Sequence, residues 1–378
     1  MTVLQKYFGR EILRAVLFVL IAFLALFAFF DLINELPSVG RGGYKIQHAF
    51  MYIALGLPGY TYELMPIAAL IGTIYVLSQM ASNSEFTIMR VSGLSTMQAG
   101  FMLARIGLVF VLLTFLFGEV ISPLTAERAE RLKQQAQGTT SKEFRSGLWT
   151  KDQIRDDSGA VTGSRFVNVG ELLPNGQLKN VKLYEFDEQL RLTSMVTAGT
   201  AIFQGDRRWK LNDVTTTRFA LTVFNLAVLP DATSGIATVK VPSRDLISDI
   251  TPDILSVTFA DPDRMSAFDL STYTRHLAEN KQLTERYDIA FWKKIIYPFA
   301  VFVMMALALP FAYLHARSGG VSLKIFIGIM IGVSFKLINS LFSHVGLLNT
   351  WPPLATAIAP SLLFLVGAIG ALWWVERH

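Results

Sequence analysis

The feature that most constrains this chain is a set of six apolar runs, at about 15–33, 57–80, 101–121, 295–314, 323–341 and 354–375. Each is close to the roughly 20 residues a helix needs to cross a hydrocarbon core. The reading is an integral membrane protein with six transmembrane helices. Composition agrees: 17% of the 378 residues are charged, against about 25% in soluble domains. Lys6, Arg10 and Arg14 precede the first run as they would in a signal peptide, but Phe29-Phe30-Asp31 follows with no small-residue cleavage pattern, so the run is read as a retained span.

Lysine and arginine in short loops set orientation. Lys6, Arg10, Arg14, Arg90, Arg105, Arg317, Lys324 and Arg377 fall on one side, and only Arg41 and Lys45 on the other. The first side is expected to be cytoplasmic, with both termini inside and residues 122–294 outside. The net charge of +5 then reflects cytoplasmic flanks and not nucleic-acid binding.

The outside region changes period. Phe166–Val169, Val181–Phe186, Leu190–Leu192, Thr200–Phe203, Trp209–Leu211 and Thr217–Val223 alternate or are β-rich. Turn signals separate them at Pro174-Asn-Gly176, Phe186-Asp-Glu188 and Gly205-Asp206. Short strands at this spacing predict an inserted all-β domain: a sandwich, jellyroll or open barrel. After Pro262, Leu270, Tyr273 and Leu277 recur at helical spacing. The expected division is 1–122 as a first transmembrane half, 123–270 as a β-domain with helical linkers, and 271–378 as a second transmembrane half.

Catalytic signatures are missing from the sequence. It contains no cysteine, which removes disulfides and thiolate metal sites. No phosphate-binding loop of the G-x-x-x-x-G-K-[S/T] type, no H-E-x-x-H and no G-x-S-x-G elbow occurs. His48, His276, His315, His344 and His378 have no ligand spacing. No catalytic residue and no metal ligand is assigned.

Three polar features remain. The 81–100 loop joins spans two and three. Ser84 or Asn83 could cap a short helix there, with Glu85 in its first turn and Gly93 near its end. Such a helix either docks into a partner's groove or lies on the headgroups. Lys336 lies inside span five, where a charge is costly. It contacts substrate or serves an ion relay, or it snorkels or pairs with a neighbouring subunit. Arg128, Arg131 and Lys133 follow span three, with Glu127 and Glu130 interleaved. They suit an anionic headgroup, or a solvated, salt-bridged helix. At the ends of span three, Arg105 and Glu119 are expected to snorkel.

Across nearly its whole length the chain resembles the LptF/LptG permease family, the membrane subunits of the lipopolysaccharide export ABC transporter, and the G subunit more than the F. The resemblance is carried by Pro66-Ile-Ala-Ala-Leu70 with Gly72, and by Ser84-Glu85-Phe86 followed by Met89-Arg90-Val91-Ser92-Gly93-Leu94-Ser95. Further carriers are Gly147-Leu148-Trp149, Leu183-Tyr184-Glu185-Phe186-Asp187 and Trp209-Lys210-Leu211-Asn212-Asp213-Val214. Trp292-Lys293-Lys294-Ile295, Pro298, Met304–Phe311, Trp351-Pro352-Pro353 and Pro360 complete it.

The resemblance implies a non-catalytic permease in the bacterial inner membrane, with a periplasmic β-jellyroll. Its implied partners are a second six-span LptF-like subunit, a dimeric cytoplasmic LptB-like ATPase that uses ATP and Mg, periplasmic LptC-like and LptA-like bridge proteins, and lipopolysaccharide. No cofactor is expected on this chain. Residues 84–97 become the coupling helix, with Glu85, Arg90 and Gly93 at the ATPase contact. Phe23, Phe27, Phe30, Phe335 and Leu341 become gate or acyl-chain contacts between spans one and five, and Arg41, Lys45, Lys133 and Lys336 headgroup contacts. One departure stands out: some relatives carry lysines at the outer end of span one, where this chain has Asp31 and Glu35, which repel phosphate unless they are paired. Two other classes compete with this reading, a membrane-anchored envelope enzyme and a partner-binding sensor.

Overall fold

The computed structural model describes residues 3–137, 147–155, 161–173, 176–219, 236–252, 254–255, 262–313 and 320–377. His315, Arg317, His378, the last residue of the fourth apolar run, residues 220–223 of the last expected strand, and Pro174 and Asn175 of the first expected turn lie outside these residues.

Six helices are long and apolar enough to cross a membrane among the described residues. They begin with α1 (Val3–Glu35) and α2 (Ile46–Ser82). The short α3 (Glu85–Val91) precedes α4 (Thr96–Leu116), which runs through a π-turn at Phe117–Ile121 into α5 (Ser122–Gln137). After the sheet come α6 (Ala267–Glu279), α7 (Glu285–Ile296) and α8 (Ala300–Ala308), then α9 (Val321–Leu348) and α10 (Pro353–Arg377). The fourth span is α7 and α8 in series. Pro298 and Pro310 lie in the tight 3-10 turns at Tyr297–Phe299 and Leu309–Ala312, where a missing N–H and a fixed φ are tolerated. The first, second, third, fifth and sixth spans run past both ends of their apolar runs, because end turns continue the helix beyond them.

The hub of the bundle is α2, buried through nearly its whole apolar length, whereas α1, α9 and α10 present most of theirs outward. Close approach to α2 depends on glycine. A Cβ on Gly72 would lie 2.7 Å from the Val16 backbone nitrogen of α1, and one on Gly332 of α9 would lie 2.7 Å from the Ile67 side chain. With lipid outside, apolar surface gains little by burial, so such tight packing is a main source of helix association.

The soluble region is one antiparallel meander in the order β1 to β6: Leu148–Arg155, Val161–Leu172, Leu178–Asp187, Leu192–Gly205, Arg208–Phe219 and Ile236–Ile247. Alternate residues Val167, Val169, Val181, Leu183, Val196, Ala198, Trp209 and Leu211 build one apolar core. The indole N–H of Trp209 donates to the Ile250 carbonyl at 2.7 Å, drawing the chain after β6 over that core.

The sheet is tied shut at one end by buried charge. Asp152 on β1, fully buried, accepts from Arg165 of β2 at 3.3 Å and from the Ser248 hydroxyl at 2.7 Å. Arg165 also donates to Glu185 of β3 at 3.1 Å and to the Ile247 carbonyl at 3.1 Å. The first three strands thereby hold the end of the sixth, so the sheet is rolled and not flat.

Two local expectations are corrected. The 190–192 segment is mostly turn: Leu190 has φ 59°, and β4 begins at Leu192. Glu119 does not snorkel; its carboxylate accepts the Ala267 backbone N–H at 2.9 Å and so holds the first residue of α6. Ser266 caps the same helix, its hydroxyl accepting from the Asp269 N–H at 3.1 Å. At the other end of α6, Gln153 of β1 donates to the Glu279 carbonyl, and His276 is buried.

Candidate functional site

The first candidate site is the loop between spans two and three. Its helix is shorter than expected: α3 ends at Val91, Gly93 turns the chain at φ +99°, and a new helix begins at Thr96 with a capping box between Ser95 and Gln98. Neither expected cap operates through a side-chain bond to the backbone. Ser84 takes a left-handed conformation with no side-chain cap, and Asn83 donates to the Glu85 carboxylate at 3.2 Å. The Tyr7 hydroxyl of α1 donates to the other Glu85 oxygen at 3.1 Å. Glu85 is therefore oriented from two sides.

Tyr313, at the end of the fourth span, organises the rest of this loop. Buried Phe86 meets its ring edge-on at 5.2 Å, and the Arg90 guanidinium lies 4.7 Å from its centroid. Its hydroxyl donates to the Thr96 side chain at 2.7 Å. Sequence reasoning missed Tyr313, because nothing in the sequence joins it to a loop more than 200 residues away. With Phe86 turned inward, Ile88, Val91 and Met97 of the same loop are left exposed.

The second candidate site is the outward side of α1, α2 and α9. Phe23 and Phe27 are half-buried, Phe27 packing against Tyr60 with centroids 5.1 Å apart. Phe30 and Leu341 are exposed. Phe335 is buried at 1% exposure between Tyr297 and Phe364, so its ring packs this chain's own core. Lys336 points the other way and pairs with Glu63 of α2 at 3.0 Å, its ammonium 5.9 Å from the Phe27 ring centroid.

Both acids on span one are partnered. Asp31 accepts from the Tyr60 hydroxyl at 3.0 Å, and Glu35 pairs with Lys133 of α5 at 3.1 Å. Lys133 also lies 4.7 Å from the Tyr52 ring centroid, so it ties α5 to the ends of α1 and α2. Beside Glu35, burial and that carboxylate hold the Tyr44 phenol well above its ordinary value, keeping it neutral. Arg131 pairs with Glu127 at 2.5 Å on the exposed side of α5, as a salt-bridged helix would have it. Arg41 and Lys45 are exposed in the loop between α1 and α2. The described residues hold no group of three or more histidine, aspartate or glutamate side chains fit for a metal ion.

A family model described as "Lipopolysaccharide export system permease LptF/LptG" matches residues 6–375. Among curated proteins, the chain is 29% identical over 377 residues to the "Lipopolysaccharide export system permease protein LptG" of Escherichia coli (strain K12), covering 99% of this chain and 98% of that protein. The protein of the same description from Haemophilus influenzae (strain Rd) is 29% identical over 374 residues, covering 98% and 97%.

Proposed function

Since the chain belongs to the LptF/LptG family of lipopolysaccharide export permeases, we propose that it is the LptG-type subunit of an ABC exporter that takes lipopolysaccharide from the outer leaflet of the inner membrane. The observation that carries this is the end-to-end family match on six spans interrupted by one β-domain. A large amphipathic substrate suits the outward side of α1 and α9, which joins apolar faces to the half-exposed Lys336–Glu63 pair. The termini lie in the cytoplasm and the rolled sheet in the periplasm, where it passes substrate towards LptC-like and LptA-like bridge proteins. A second six-span, LptF-like subunit completes the lipid path.

ATP hydrolysis, with its Mg, belongs to partner LptB-like subunits, and this chain supplies the docking loop. Tyr7 and Asn83 aim the Glu85 carboxylate, while Ile88, Val91 and Met97 offer apolar surface in the same loop. A carboxylate so placed suits a basic residue of the ATPase. Reversing it with Glu85→Lys should cost about 2–5 kcal/mol of docking, the range for breaking a close interfacial charge pair. The check is co-purification of the ATPase with the tagged chain, together with lipopolysaccharide release in reconstituted vesicles. Retention of both at wild-type levels excludes Glu85 as the coupling residue.

A further inference from the structure

Two of the lysines on the lipid-facing side already hold a carboxylate of the same chain, and the two pairs differ in burial. The Lys133–Glu35 side chains are 26% and 10% exposed. Those of Lys336 and Glu63 are 50% and 46% exposed. A buried pair is costly to separate, because either partner left alone stays desolvated. An outward-facing pair can change partners, provided that the incoming group brings its own charge.

Lys336 lies well inside its span, about 22 Å along the axis from the start of α9, and Glu63 lies about 28 Å from the Ser82 end of α2. An unpaired ammonium at that depth is unfavourable, so it keeps an anion. Glu63 is the anion it keeps in this structure, and Phe27 of α1 flanks the pair. The site thus lies where α1, α2 and α9 come together, open on one side and closed on the other by buried Phe335.

We propose that Glu63 is a specificity-determining residue of the lipid path: an internal carboxylate that occupies the place on Lys336 which a lipid phosphate takes, so that only a strongly anionic headgroup displaces it. This rests on the transport reading above. The exchange swaps one anion for another on a single ammonium. A headgroup with several negative charges competes well against the tethered carboxylate, and one with a single phosphate competes poorly. Lys336 supplies attraction, and Glu63 sets the threshold.

The test uses the chain assembled with its partner subunits in phosphatidylcholine nanodiscs. Binding is measured for two probes, bis-phosphorylated lipid A and phosphatidylglycerol, with wild type, Glu63→Gln, Lys336→Gln and the double variant. Glu63→Gln should raise phosphatidylglycerol affinity by about three- to tenfold and narrow the preference for lipid A. Lys336→Gln should weaken lipid A binding, and Glu63→Gln should have no further effect in that background. Melting temperature and partner co-purification show that each variant is folded. If Glu63→Gln leaves both affinities unchanged, or lowers both as Lys336→Gln does, the pair is a strut and the inference is overturned. If Glu63→Gln does not assemble, Glu63→Asp replaces it: the shorter carboxylate should relax the preference for lipid A, and an unchanged preference overturns the inference. If the wild-type complex binds neither probe, the transport reading fails, and the inference fails with it.

Discussion

Arg165 in the sheet and Lys336 in the bundle are both cations held by carboxylates of their own chain, in opposite circumstances. Arg165 is enclosed, and its guanidinium meets two carboxylates and a carbonyl on three strands. Lys336 meets one carboxylate on the outward side of one helix pair. In the sheet, charge acts as structure: it closes the rolled end and leaves the strands nothing to exchange. In the bundle, structure comes from close helix packing at Gly72 and Gly332, and the outward charge remains available for other work.

The sharpest way to break this comparison is Arg165→Met, which strands Asp152 and Glu185 in the interior. Removing one partner of a buried charge network costs about 3–5 kcal/mol. Amide hydrogen exchange should accelerate across β1 to β3 and at the end of β6, while the spans keep their protection. Protection unchanged in the sheet would mean that the network is not what closes it.

The counterpart in the bundle is Gly72→Ala. Its new methyl meets the Val16 backbone, which cannot move aside as a side-chain tip can. Overpacking of this kind costs about 1–3 kcal/mol. The melting temperature in detergent should fall, and α1 should become more sensitive to protease, with the sheet unaffected.

A smaller effect should appear where the two regions meet. Burial lowers the His276 value below the ordinary histidine range, against the opposing pull of Asp152 and Glu279. The unfolded chain therefore takes up a proton that the folded chain refuses. Stability from this group is complete above about pH 6.5 and is lost as pH falls through that value towards the lower folded one. Hydrogen exchange over α6 should quicken between pH 7.5 and pH 5.5, and His276→Phe should flatten the dependence.

Much of this fold was legible because the signals are local. Apolar runs mark spans wherever they fall, and alternation marks β2 to β5, where most inward positions are apolar and Arg165 and Ser194 are exceptions. Two strands escaped for physical reasons. On β1, Thr150 and Asp152 face inward among the buried residues, so the alternation is broken by the very group that closes the sheet. On β6 nearly every residue is exposed, Ile236, Val239 and Ile247 among them, so its apolar positions mark no inward face. Lys336 could be singled out as a charge in an apolar run, and Glu85 by its place in a loop. Their partners could not be read, because Glu63 is 273 residues from Lys336 and Tyr7 is 78 from Glu85. Lys294, read as part of a family motif, proves to be buried against the Tyr62 ring at 4.7 Å, a contact no spacing rule encodes.

The bond from Glu119 to the Ala267 N–H joins positions 148 residues apart in sequence. The chain passes Glu119 at the end of span three and returns, at the first residue of α6, within one hydrogen bond of that point. Topologically the whole sheet is a closed excursion, a bead on a ring whose clasp is one carboxylate. The two groups of three spans can therefore find each other without waiting for the bead to fold. Any rocking of the third span reaches the sheet by two routes, along the continuous helix into α5 and through Glu119 at the start of α6, as two hinges carry one door.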